Sequence, residues 1–141
     1  MTEPIAVGQR ASLERTFSIH DVTDFARISG DDNPIHLDAA VAVEAGFGRE
    51  VVHGMLVASL ISRLLGTRLP GPGTILLGQQ LTYKRAVLVG DVVRASVEVL
   101  SVRADKPVVV LRTWVETDEV ALDGEATVIV RPLVSARHGQ P

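Results

Sequence analysis

Apolar and polar positions change period twice along this chain. Residues 11–17 alternate, with Ala11, Leu13, Arg15 and Phe17 set against Ser12, Glu14 and Thr16, which predicts a first strand. Ile19, Val22, Phe25 and Ala26 then recur at helical spacing. Ser18 and Asp21 have the form of a capping box and Ser29-Gly30 supplies a stop, so 19–28 is predicted as a helix. Asp31-Asp32-Asn33-Pro34 is loop chemistry, because Pro34 lacks a donor and pushes Asn33 out of the helical region. A short helix follows over about 39–45, between a capping Asp38 and a terminating Gly46.

The segment 54–66 is apolar almost all the way round, through Met55, Leu56, Val57, Ala58, Leu60, Ile61, Leu64 and Leu65. A helix with so little polar face must be enclosed by the rest of the fold. Pro70-Gly71-Pro72-Gly73 stops it. From Thr74 onward the pattern predicts strands over 74–86, 91–103, 107–117 and 121–133, rich in Val, Leu and Thr and separated by turn residues. Helices first and strands after imply a single α+β domain over 1–141: a central apolar helix wrapped by a curved antiparallel sheet of about five strands. Only the tail, 135–141, reads as loose. A sheet with open edges is best protected by a second copy, so a homodimer is expected.

Composition narrows the partners. The 141 residues carry a formal net charge of −3, no cysteine and five Phe, Trp or Tyr side chains in all. Nucleic acid is therefore not expected, since phosphate binding needs clustered positive charge and single strands need stacking platforms. The absence of cysteine excludes disulfides, thiolate zinc sites and a cysteine nucleophile. No apolar stretch reaches the ~20 residues of a spanning helix, and the N-terminal segment lacks the features of a secretory signal. The expectation is a soluble, cytoplasmic protein with no membrane partner.

The candidate chemistry follows Gly30. Asp31 and His36 are five residues apart, and on a continuous helix they would diverge by about 140°. The Asn33-Pro34 break permits a turned, non-helical segment to fold His36 back, so that a carboxylate and an imidazole reach one water molecule, as general acid–base chemistry requires. From spacing alone the same residues also read as ordinary helix-end and turn chemistry, with His36 an unremarkable half-buried side chain. Gly54 opens the apolar helix, where unpartnered N–H groups at the positive end of the dipole can stabilise a negative oxygen. It equally suits a tight helix entry. Ser62 is a candidate substrate contact or simply a satisfied hydroxyl. A metal held by His36, Asp38 and His53 follows no known ligand spacing, and none is expected. No serine sits in a nucleophile elbow, and no phosphate-binding glycine loop precedes a helix.

The run Phe25-Ala26-Arg27-Ile28-Ser29-Gly30-Asp31-Asp32-Asn33-Pro34-Ile35-His36-Leu37-Asp38 closely resembles the signature of the MaoC-like (R)-specific enoyl-CoA hydratases, a branch of the hot-dog fold. Val52-His53-Gly54-Met55-Leu56 resembles that family's entry to its central helix. The segment from Leu77 to Lys84, with Val89-Gly90-Asp91, resembles its next strand and turn. The resemblance implies a hot-dog domain dimerised edge to edge. It also implies that Asp31 and His36 hold the water added to a trans-2-enoyl thioester, that the Gly54 N–H is the oxyanion contact, and that Asn33, with Pro34, shapes the loop. Two positions depart from the usual pattern, Val41 where an aromatic is common and Ala86 where proline is common. Both bear on acyl-chain preference rather than on proton chemistry.

The function so implied is hydration of trans-2-enoyl-CoA to (3R)-3-hydroxyacyl-CoA. No metal or redox cofactor is expected, and coenzyme A is part of the substrate. The acyl tail is expected beside Leu60, Ile61, Ser62 or Leu65. The alternatives are a (3R)-hydroxyacyl-carrier-protein dehydratase, a thioesterase, which the complete signature argues against, and a non-catalytic acyl-CoA-binding subunit.

Overall fold

The computed structural model describes residues 4–134, and the expected loose tail lies outside them. Strand β1 (Arg10–Thr16) is followed by α1 (Ile19–Ser29), α2 (Pro34–Leu37), α3 (Ala39–Glu44) and α4 (Gly54–Thr67). Strands β2 (Thr74–Tyr83), β3 (Val92–Val102), β4 (Val108–Glu116) and β5 (Val120–Val130) complete the order. All pairings are antiparallel, in the spatial order β1-β3-β4-β5-β2, so β1 and β2 form the two edges.

The two-residue period of the strands builds the core. Val93, Ala95, Val97 and Val99 of β3 are buried together with Val109, Leu111 and Val115 of β4, while Arg94 and Arg112 project outward. Helix α4 lies against this inner face and buries Val57, Ala58, Leu60, Ile61, Leu64 and Leu65. Each large apolar side chain so enclosed contributes about 1.5–3 kcal/mol relative to exposure. On the outer face, Trp114 lies under the Arg112 guanidinium, 4.3 Å from its ring centre, with Arg10 beyond it at 5.9 Å.

Three expectations are corrected. Residues Pro34–Leu37 form one helical turn rather than a non-helical segment, because proline at the first helical position loses nothing and Asn33 caps the turn. Strand β2 ends at Tyr83, not 86, because the N–H groups of Lys84 and Arg85 both converge on the Ala121 carbonyl. The chain then leaves the ladder, and Val87 and Val89 turn inward. Finally, α4 is not enclosed on all sides: Met55, Ser59, Ser62 and Arg63 form an exposed stripe. Among the described residues, no helix is long and apolar enough to cross a membrane.

Candidate active site

The site is assembled by three helix ends. Ser18 and Asp21 close the expected capping box, which fixes the start of α1. Gly30 ends that helix with φ 80°, a left-handed conformation that favours glycine, and delivers Asp31 to the next turn. One oxygen of Asp31, Oδ1, accepts the Asn33 N–H at 3.3 Å, and Asn33 Oδ1 in turn accepts the Ile35 N–H at 3.3 Å. These two bonds bend the chain so that α2 starts at Pro34 and turns His36 inward.

His36 is 7% exposed, and its Nδ1 lies 2.6 Å from the Val51 carbonyl oxygen. A carbonyl can only accept, so in the neutral ring Nδ1 carries the proton and donates it, leaving a lone pair on Nε2. That nitrogen faces Asp31 Oδ2 at 3.8 Å. Two acceptors at this spacing are not bonded to each other, but together they suit a donor with two hydrogens. A water oxygen about 2.8 Å from each would subtend an angle of about 85° across the 3.8 Å gap, about 20° narrower than the H–O–H angle, which hydrogen bonds bent by about 10° each accommodate. Such a water donates to both groups, and a lone pair points away from them.

Gly54 opens α4 beside this pair. Its predecessor, His53, occupies the N-cap position and forms no side-chain capping bond, so the first turn keeps free donors at the positive end of the helix. Tyr83 packs over Gly54, and its hydroxyl donates to the Gly54 carbonyl at 2.7 Å. Burial pushes the phenol's pKa up, which keeps it a donor. Gly54 and Tyr83 together line two cavities. One, of about 370 Å³, also contains Asp31, Ser29, His53, Phe25 and Met55. The other, of about 340 Å³, contains His36 with an apolar wall that includes Val52, Val57, Val87 and Leu122. The arrangement offers an open polar side at Asp31, an apolar side at His36, and an N–H donor at their junction.

Asp31, His36 and Gly54 are thus brought together, with Asn33 and Pro34 shaping the loop. Ser62 is not: it sits on the exposed stripe of α4, eight residues and about 12 Å along the axis from Gly54. Asp38 is also absent from the cluster, because its carboxylate caps α3 through the N–H groups of Ala40 and Val41. The residue that the sequence left without a role is His53. It is 2% exposed, stacks on His36 with ring centres 3.8 Å apart, and places Nε2 2.9 Å from the Asp31 carbonyl oxygen. Asp31, His36 and His53 offer potential metal ligands within 4.8 Å of one another.

Comparison with known proteins agrees with this geometry. The MaoC like domain model matches residues 2–121. The (R)-specific enoyl-CoA hydratase of Aeromonas caviae is 49% identical over 128 residues, which is 89% of this chain and 96% of the relative. The 3-hydroxybutyryl-CoA dehydratase of Methylorubrum extorquens is 43% identical over 129 residues, covering 91% of this chain and 82% of the relative. Among solved structures, the (R)-hydratase from A. caviae involved in PHA biosynthesis superposes with a TM-score of 0.88 at 48% identity, covering 92% of this chain and 100% of that one.

Proposed function

This chain belongs to the MaoC-like domain family, and from that premise we propose that it is an (R)-specific enoyl-CoA hydratase, a hydro-lyase that adds water to trans-2-enoyl-CoA to give (3R)-3-hydroxyacyl-CoA. The observation that carries this reading is the 3.8 Å gap between two acceptors, Asp31 Oδ2 and His36 Nε2, beside a helix start with a free donor.

The chemistry follows from that placement. The thioester carbonyl accepts the Gly54 N–H, which draws electron density from the double bond and leaves C3 electrophilic. Water held by Asp31 and His36 presents its lone pair to C3. As the C3–O bond forms, Asp31 takes one proton, and negative charge moves through C2 to the thioester oxygen at Gly54. Return of a proton from the dyad to C2 on the same face completes the addition of one water, and the carboxylate and imidazole recover their starting states. No electrons are transferred, so we propose no redox cofactor, and we propose no metal because Asp31, His36 and the Gly54 N–H already supply the proton transfer and the oxyanion contact. Coenzyme A is the substrate's handle, and we expect the work of the protein to lie in cytoplasmic fatty-acid metabolism.

We further propose a homodimer formed along β2. That edge strand exposes Ile75, Leu76 and Leu77 consecutively, at 48%, 48% and 58%. An unprotected apolar edge of this kind is an aggregation hazard, and pairing with a second copy removes it.

The test is to mix the purified protein with crotonyl-CoA, follow loss of the enoyl thioester absorbance, and determine the configuration at C3. Hydration to the (3R) product is expected. Release of free thiol, the (3S) product, or no turnover overturns the reading.

A further inference from the structure

Among the described residues, one of the side chains that start helices does not cap. Ser18, Asn33 and Asp38 each accept an N–H of the helix they precede, whereas His53 leaves α4 uncapped and sends its ring to a carbonyl 22 residues upstream. We propose that His53 is a positioning residue for the hydration reaction, holding the Asp31 backbone through Nε2–H and the plane of the His36 ring by stacking. This rests on the hydratase reading above.

Three observations carry the inference. The Nε2···O distance to Asp31 is 2.9 Å, and because a carbonyl only accepts, the neutral His53 ring must carry its proton on Nε2. This bond pins the backbone of the residue whose Oδ2 faces the water position, and it is the shortest of three, the others being Asp31 N–H to Ser29 Oγ at 3.1 Å and Asn33 N–H to Asp31 Oδ1 at 3.3 Å. The His53 ring lies nearly parallel to His36, 26° between planes at 3.8 Å, and is backed by Phe25 at 4.8 Å. His36 therefore cannot rotate about its Val51 hydrogen bond without striking it.

The third observation is an expense that packing alone would not produce. Among the described residues, no protein group hydrogen-bonds the buried Nδ1 of His53, so for packing alone an apolar ring of similar shape would serve the core better. A serine or aspartate at this position would ordinarily cap the helix and occupy donors of the first turn beside Gly54. A histidine that reaches away keeps that turn open and ties Asp31 to His36 at the same time.

The test compares His53→Gln, whose Nε2 can replace the donor, with His53→Phe, which keeps a stacking ring but donates nothing. With crotonyl-CoA, His53→Phe is expected to lower kcat about 10–100-fold with KM changed less than about threefold, as displacement of a positioned group does. His53→Gln is expected to recover most of that loss. A His53→Phe enzyme that folds and turns over at the parental kcat overturns the proposal, as does a His53→Gln enzyme no better than His53→Phe. Nitrogen NMR of the parental imidazoles supplies a readout that needs neither variant nor turnover. The proposal requires the proton on Nε2 of His53 and on Nδ1 of His36, and the opposite tautomer at His53 overturns it. Parental inactivity on crotonyl-CoA would refute the hydratase reading instead, and the NMR measurement would still decide the hydrogen bond.

Discussion

Replacing Gly54 by alanine separates the oxyanion contact from simple packing. A Cβ at this position would lie 3.0 Å from Cε2 and Cζ of Tyr83 and 3.3 Å from its hydroxyl oxygen. The Tyr83 ring is 45% exposed at the end of an edge strand and can retreat by a few tenths of an ångström. The steric cost therefore belongs at the low end of the roughly 1–3 kcal/mol seen for overpacking. Alanine's helix propensity returns up to about 1 kcal/mol. Net stability should change by no more than about 2 kcal/mol, which melting curves will read as a Tm shift of roughly 7 °C or less. Activity should respond far more. The added methyl and the displaced ring stand where the thioester oxygen must approach the N–H, and loss of one such donor lowers kcat about 10²–10³-fold. Crotonyl-CoA hydration measures this, with Tyr83→Phe as the control, because that change removes the hydroxyl, with its bonds to the Gly54 carbonyl at 2.7 Å and to Met55 Sδ at 3.8 Å, and adds nothing beside the N–H. A Gly54→Ala enzyme within about threefold of parental turnover, at the expected Tm, would refute the oxyanion role.

Other consequences can be checked separately. Asp21→Asn takes the negative charge out of the α1 capping box and out of the Arg15 ion pair and should cost about 0.5–1 kcal/mol at neutral pH. The Ser18 N–H and the Arg15 guanidinium hold the Asp21 pKa below its usual value. That stabilisation is present above the unfolded carboxylate pKa and is lost as pH falls through the lower, folded one. Urea titrations should therefore show the parent–variant difference shrinking in acid, and a constant difference would argue against the linkage. Gly124→Ala places a Cβ 1.8 Å from the Gln80 backbone oxygen, so β5 and β2 must separate; a loss of about 3 kcal/mol or more is expected by chemical denaturation. Charging the β2 edge with Leu76→Lys and Leu77→Lys should abolish the proposed β2-edge dimer, read as a lower mass in light scattering than that of the parent, with the fold retained by circular dichroism.

How much of this was legible in the sequence varied with the kind of signal. The capping box of α1, the Asp38 cap of α3, the apolar run of α4 and the strand alternation are local patterns, and each appears within a few residues of its expected place. Asp31, Asn33, Pro34 and His36 lie in one short motif whose bend is written in Asx and proline chemistry. His53 was not recoverable in this way. Its partners are 17 and 22 residues upstream, and nothing at its own position says that it stacks on one and bonds the other. The exposed stripe of α4 was missed for a related reason. Two serines, a methionine and an arginine are too few to mark a polar face until the packing shows which side is left open. The early end of β2 depends on Ala121, 37 residues beyond Lys84, and so belongs to the tertiary structure.

The central claim, one water held jointly by Asp31 and His36, is tested most directly by a double-variant cycle on kcat/KM for crotonyl-CoA. Asp31→Asn turns an amide toward the His36 lone pair, and His36→Gln removes that nitrogen's fixed direction, so each alone disables the pair. Each should cost about 10²–10⁴-fold, or roughly 3–5 kcal/mol of barrier, with the fold retained. The double variant should be no worse than the poorer single by more than about tenfold, as residues acting as a unit require. Parental activity in either single variant, or losses that multiply in full, would contradict a shared water.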